Sequence, residues 1–235
     1  MIGLTHVLLV EDDVEIARII KYYLSLCECY EIVWAKNKEE VHFYAKDHFD
    51  VIMLDIMLPD ANGIELCRSL RKEHLCPIIF ISCLDDADTI ISALDMGGDD
   101  YLVKPFDVHI LHARIQANLR RVEMDCYGTA ENRLSCCGFT LDANKHTVIR
   151  NGQSTELVPL EFKILSFLMQ HPRQTFRSSE LYAAIWGNPS YGDTRTVAVH
   201  IFNLRRKIEE NAAEPQYLKS IWGKGYMFDP DGSAE

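Results

Sequence analysis

Four short apolar runs divide the first half of this chain, and each stops at a side chain that carries chemistry. Val7–Val10 ends at Glu11, Asp12 and Asp13, Val51–Leu54 at Asp55, Pro77–Ser82 in a hydroxyl, and Tyr101–Val103 at Lys104. Continuous apolar runs of this length predict strands buried on both faces, as a parallel sheet requires. Glu31–Ala35 predicts one more strand. Between the strands the period becomes helical. Ile16, Ile19, Ile20, Tyr23 and Leu24 recur at i, i+3, i+4, i+7 and i+8, and Lys38–Asp47, Ile64–Lys72, Thr89–Met96 and Val108–Arg121 predict further helices. Five β-α units in a row predict an α/β fold with a doubly wound, five-stranded parallel sheet, whose strand carboxyl ends form the ligand crevice.

Periodicity fades over 122–132, where Gly128 and Thr129 predict a linker. Short strands are then expected at Phe139–Leu141, Thr147–Arg150 and Ser154–Val158, with Asn151–Gly152 the strongest hairpin signal in the chain. Helices follow at Pro159–Gln170, Ser178–Trp186 and Thr196–Glu210, then a hairpin over Leu218–Phe228. Three helices followed by a hairpin is the winged-helix order. The expected organisation is a first domain over 1–121, the linker, a smaller domain over 133–229 and a tail over 230–235.

Length and composition suit two water-soluble domains, each able to bury its own core. No apolar run is long enough for a membrane span and Met1–Val10 lacks signal-peptide character, so a cytoplasmic protein with no membrane partner is expected. The eight cysteines are then expected to be free thiols. Their spacing suggests no zinc set, and a redox role is left for Cys83 or the adjacent Cys136 and Cys137. The net charge of −11 is uneven: residues 1–122 carry 21 acids against 12 Lys and Arg, residues 123–235 carry 14 against 12. An acidic first half suits a cation site, and a near-neutral second half has room for a local basic face.

The strand ends bring together Glu11, Asp12, Asp55, Ser82 and Lys104. Crowded carboxylates repel one another, and a hard divalent cation such as Mg2+ relieves that repulsion. One carboxylate can then attack a phosphoryl group while a lysine and a hydroxyl bind its oxygens, which defines an acyl-phosphate site. Asp13 reads as a helix N-cap, not a ligand. In the second half, Arg195, Thr196, His200, Asn203, Arg205, Arg206 and Lys207 lie on the third helix, opposite an apolar side formed by Val197, Val199, Ile201, Leu204 and Ile208. Lys219 and Lys224 lie on the hairpin. Such a helix can read base edges while lysines neutralise phosphates, although a salt-bridged surface helix followed by Glu209 and Glu210 would look the same from charge alone.

The blocks LLVEDD, DVIMLDIMLPDANG, FIS and GGDDYLVKPF resemble the flavodoxin-like receiver domain of two-component response regulators. The segments LVPLEFKILSFL, SSELYAAIWG, RTVAVHIFNLRRKIE and IWGKGYMF resemble the DNA-binding domain of the winged-helix (OmpR/PhoB-like) subfamily. The resemblance implies that Asp55 is the phosphoacceptor, that Asp12, Asp55 and the Met57 carbonyl hold Mg2+, and that Glu11 acts through a bound water. It also implies that Ser82 and Lys104 contact the phosphoryl group, that Tyr101 is the switch aromatic, and that the peptide before Pro105 is cis. Arg195, His200, Phe202 and Asn203 would face DNA, with Arg205 and Arg206 nearby. Trp222 stands where many members carry a minor-groove arginine, and both packing and DNA contact are open to it.

The implied partners are a sensor histidine kinase, promoter DNA with repeated half-sites, RNA polymerase, and a second copy docked through the face of helix 4, strand 5 and helix 5. On that face Asp100 and Arg114 match a cross-subunit ion pair. Ile90 and Ile110 replace charged partners, and Gln116 replaces a base opposite Asp95, so a more apolar dimer less dependent on phosphorylation is expected. Two rivals stand beside this regulator, which is not an enzyme. One is an aspartyl phosphatase of the haloacid-dehalogenase type, which needs a second Asp where Met57 stands; the other is an orphan regulator controlled by redox or protein binding.

Overall fold

The computed structural model describes residues 4–27, 29–126, 133–136, 138–186 and 195–232. The chain divides into two compact units, Met1–Val122 and Glu123–Glu235. Among the described residues no helix is long and apolar enough to cross a membrane.

The first unit alternates β1 (Thr5–Val10), α1 (Val14–Ser25), β2 (Tyr30–Ala35), α2 (Lys38–Tyr44), β3 (Val51–Leu54), α3 (Gly63–Leu70), β4 (Ile78–Ser82), α4 (Ala87–Asp95), β5 (Asp100–Val103) and α5 (Val108–Cys126). All strand pairings are parallel, in the order β2-β1-β3-β4-β5. The order reverses between β1 and β3, and the crevice of a doubly wound sheet opens there. Val51–Leu54 and Ile78–Ser82 are buried at every position, which explains why these runs do not alternate. On one sheet face Val7, Leu9, Met53 and Ile81 pack with Ile20 and Leu24 of α1 and with Leu111 and Ile115 of α5.

Each βα loop closes with an Asx residue that caps the next helix. Asp13, Asn37, Asn62 and Asp86 accept backbone N–H groups of α1, α2, α3 and α4, satisfying donors that a helix start leaves open. Asp13 is therefore the expected cap. A second fixture spans α3 and the loop before β5. The Arg71 guanidinium donates to the carbonyls of Gly97, His74 and Cys76 and to the Asp99 carboxylate, which also accepts the Ile78 N–H at 2.9 Å. Both charges are buried.

In the second unit β6 (Arg133–Cys136), β7 (Phe139–Asp142), β8 (Thr147–Arg150) and β9 (Gln153–Glu156) form an antiparallel meander. Asn151 and Gly152 both have positive φ, as the turn between β8 and β9 requires. Helices α6 (Pro159–Gln170), α7 (Ser178–Trp186) and α8 (Arg195–Ile208) follow, then β10 (Leu218–Ile221) and β11 (Gly225–Phe228), paired antiparallel. Phe176 and Tyr226 exchange backbone hydrogen bonds, and a Cβ at Gly225 would lie 1.9 Å from the Phe176 carbonyl oxygen, so only glycine fits there. The meander is joined to the hairpin by rings: Phe139 lies 4.9 Å from Tyr217 and 5.7 Å from Phe228, and the Arg150 guanidinium covers Tyr217 at 4.4 Å.

Three expectations are corrected. Helix α5 continues to Cys126, through half of the stretch read as linker. Strand β6 is an addition to the expected elements, because the alternation over Arg133–Cys136 spans only four residues and adjoins the stretch read as linker. Helix α8 ends at Ile208 instead of Glu210. Residues 127–132 of the expected linker, Cys137 and tail residues 233–235 lie outside the described residues.

Candidate phosphoacceptor site and nucleic-acid interface

The C-terminal edges of β1, β3, β4 and β5 deliver the side chains the sequence marked. Oxygens of Glu11, Asp12 and Asp55 lie within 4.8 Å of one another. Lys104 Nζ donates to Glu11 Oε2 at 2.7 Å and to Asp55 Oδ2 at 2.6 Å, with all three side chains buried. Burial pushes the Glu11 carboxyl up to about 7, against the pull of the Lys104 ammonium. Burial works to lower Lys104, but the hydrogen bonds to Asp55 and Glu11 prevail and hold it above its ordinary value. Three hard oxygen donors this close together suit a divalent metal.

The backbone around this cluster is closely fitted. The Met57 N–H donates to Asp55 Oδ1 at 3.1 Å, and Met57 pairs with Asn62 across the turn. A Cβ on Gly63 would fall 2.0 Å from the Asp55 carbonyl oxygen, so glycine lets α3 start against the strand end. The Trp34 indole N–H holds the Glu11 carbonyl at 2.8 Å. Ser82 is fully buried, and the Leu84 N–H approaches its Oγ at 3.5 Å. The buried Tyr101 donates its hydroxyl to the Leu84 carbonyl at 2.7 Å, and burial pushes that phenol up to about 12. The Lys104–Pro105 peptide is cis.

On the expected dimer face the ion pair closes within one chain. Arg114 donates to Asp100, and both are buried, so this pair is not held open for a second copy. Ile90 is buried, Ile110 and Asp95 are half-buried, and Gln116 donates to the Tyr30 hydroxyl instead of facing Asp95. Of the thiols, Cys83 is exposed, while burial pushes Cys67 and Cys76 up to about 12.

On α8 the exposed stripe runs Arg195, Ala198, Phe202, Arg206, at helical spacing. Thr196, His200 and Asn203 are buried, correcting the expectation that they face DNA. At about 100° per residue they sit roughly 100°, 140° and 80° around the axis from Arg195, outside the exposed sector. His200 lies beside the Trp186 ring. Arg205 is a brace: it donates to the Leu218 carbonyl at 2.8 Å and to Ser220 Oγ at 2.9 Å, tying α8 to β10. Lys207 pairs with Glu161, and Lys219 with Asp229. At the hairpin tip Lys224 is exposed and Trp222 is 97 % exposed.

A receiver-type acid crevice in one unit and a winged helix with an exposed Arg–Phe–Arg stripe in the other define a signal-responsive DNA-binding protein. Residues 7–116 match the response regulator receiver domain, and residues 152–228 match the C-terminal domain of transcriptional regulatory proteins. The chain is 35 % identical over 237 residues to the transcriptional regulatory protein YclJ of Bacillus subtilis, covering 96 % of this chain and 99 % of that one. It is likewise 35 % identical to YrkP of the same organism, over 95 % of this chain and 97 % of that one. Among solved structures it resembles the response regulator DrrB of Thermotoga maritima, an OmpR/PhoB homologue, at 29 % identity and TM-score 0.50, covering 96 % and 99 % of the two chains. The chain belongs to the OmpR/PhoB-type two-component response regulators, phosphorylation-controlled transcription regulators that bind DNA and are not enzymes.

Proposed function

We propose that Asp55 accepts the phosphoryl group from a sensor histidine kinase. An Asp55 carboxylate oxygen attacks phosphorus, the bond from phosphorus to the kinase imidazole breaks, and the imidazole leaves with the electron pair. Asp12, Asp55 and the Met57 carbonyl, with Glu11 acting through water, would hold Mg2+, which neutralises the phosphoryl oxygens during transfer. The donor set fits that ion, since all the contributing atoms are oxygens and the three carboxylates already converge. Lys104, already on Asp55, exchanges that contact for a phosphoryl oxygen, and the Ser82 hydroxyl donates to another. Drawing Ser82 inward moves the loop through Leu84, whose carbonyl Tyr101 holds, so the switch aromatic and the loop respond together.

The shifted receiver then pairs with a second copy through the face of α4, β5 and α5, raising the local concentration of two winged helices on repeated half-sites of promoter DNA. Arg195, Phe202 and Arg206 meet the major groove, and Lys224 and Trp222 meet the adjacent backbone and groove, in reach of RNA polymerase at the promoter. The observation that carries this reading is the buried Lys104 ammonium bridging Glu11 and Asp55 beside Asp12. Incubation with acetyl phosphate and Mg2+, followed by peptide mass mapping, tests it. One phosphoryl group is expected on Asp55 and none in Asp55→Asn; no adduct, or an adduct elsewhere, overturns it.

A further inference from the structure

Strand β1 ends at Val10, and backbone pairing carries one step past it. The Glu11 N–H donates to the Ala35 carbonyl at 3.0 Å, and the Val10 carbonyl accepts the Asp55 N–H at 3.0 Å. The next carbonyl, that of the fully buried Glu11, lies beyond the strand and is bonded by a side chain instead: Trp34 of β2 reaches it with the indole N–H at 2.8 Å. A buried carbonyl without a donor is costly, and a phenyl or aliphatic side chain at position 34 would have no donor to give.

That carbonyl belongs to the peptide joining Glu11 to Asp12. The peptide is planar, so holding its oxygen fixes the plane from which the Asp12 backbone departs. On the far side Asp13 is held as the cap of α1, and its N–H donates to Glu11 Oε1 at 3.3 Å. Asp12 is therefore an exposed carboxylate on a backbone fixed before and after it, with an oxygen within 4.8 Å of those of Glu11 and Asp55. The indole is itself held from two elements, because the ammonium groups of Lys21 on α1 and Lys36 after β2 lie 5.4 and 4.6 Å from a ring centre of Trp34.

We propose that Trp34 is a positioning residue for the divalent cation: by holding the Glu11–Asp12 peptide, its indole N–H presets the Asp12 carboxylate beside Asp55 and so sets the affinity for Mg2+. A ligand placed beforehand does not have to be ordered when the ion arrives, and that ordering cost otherwise reduces affinity. The inference rests on the metal reading proposed above and deepens it, assigning part of the affinity to a side chain that does not touch the ion.

The test separates the N–H from the bulk of the ring. In the full-length protein Trp34 is replaced by 3-benzothienylalanine, which keeps the shape of the indole with sulfur in place of the N–H, and in parallel by phenylalanine. Calorimetric titration with Mg2+ should show binding weaker on the order of tenfold in both variants, the scale of losing a group that holds a metal ligand in place. With acetyl phosphate as donor, the Mg2+ concentration giving half the maximal phosphorylation rate should rise by the same factor, while the rate at saturating Mg2+ stays within about twofold of wild type. Wild-type Mg2+ affinity in the benzothienyl variant, even with a lowered denaturation midpoint in Trp34→Phe, means that the ring only packs and overturns the proposal. A loss of maximal rate at unchanged Mg2+ dependence overturns it as well. Failure of wild type to bind Mg2+ at all overturns the metal reading on which it rests.

Discussion

Replacing Arg71 with alanine removes the buried guanidinium that holds the end of α3 to the loop before β5. Five donated hydrogen bonds disappear, and the Asp99 carboxylate, 1 % exposed, loses the opposite charge beside it. Removing one partner of a buried ion pair costs about 3–5 kcal/mol, because the remaining charge stays desolvated. Against a domain stability of about 5–15 kcal/mol, that is about a fifth of the total or more. At a urea slope of about 1.5–2 kcal/mol per M, the receiver midpoint should fall by about 2 M. The two units can be followed separately by fluorine NMR of 5-fluorotryptophan protein, since Trp34 lies in the first unit and Trp186 in the second. The Trp34 transition should move and the Trp186 transition should not. Arg71→Lys keeps the charge but loses the planar fork, so it should recover less than half of the loss. A drop below about 1 kcal/mol, or equal shifts of both transitions, would refute the reasoning, since surface pairs show losses of that small size.

Other outcomes follow from single contacts. Gly63→Ala should destabilise the first unit by about 1–3 kcal/mol or more and slow phosphoryl uptake, read by denaturation and radiolabel incorporation, because its Cβ would collide with the Asp55 carbonyl. His74 is buried with its ring nitrogen on the Ala45 carbonyl, and burial lowers its pKa from the ordinary 6.5, so the unfolded chain takes up the proton first. Its contribution to stability is therefore full above about pH 6.5 and is lost as pH falls below that. In His74→Gln the receiver midpoint should fall less between pH 7 and pH 5.5 than in wild type. Arg205→Ala should loosen the hairpin by about 1–3 kcal/mol, seen as faster amide exchange over 219–226, and weaken DNA binding with no change at the phosphoacceptor site.

How far the sequence can be read depends on which interactions leave a local trace. Buried parallel strands produce unbroken apolar runs, so β1, β3, β4 and β5 and the side chains at their ends are legible in the chain itself. The Asx caps are legible in part: Asp13 stands out beside its acidic neighbours, while Asn37, Asn62 and Asp86 play the same role without drawing notice. Long-range polar contacts leave no such trace. Arg71 and Asp99 lie 28 residues apart and resemble surface charges until the fold brings them together. On α8 the reading fails for a different reason: polarity assigns His200 and Asn203 outward, whereas their angle around the axis places them in the interior. The extension of α5 escapes notice because charged residues interrupt the apolar period without interrupting the helix.

The ring cluster of the second unit also constrains the order in which the protein can form. Phe139 meets Tyr217 and Phe228, partners roughly eighty to ninety positions later, so its contacts are among the most distant in the unit. A nascent polypeptide can complete the first unit while the second is still being translated, but the meander waits for its partner until Phe228 has emerged from the ribosome. During synthesis the regulator thus acquires its ability to receive a signal before it acquires its ability to act on one.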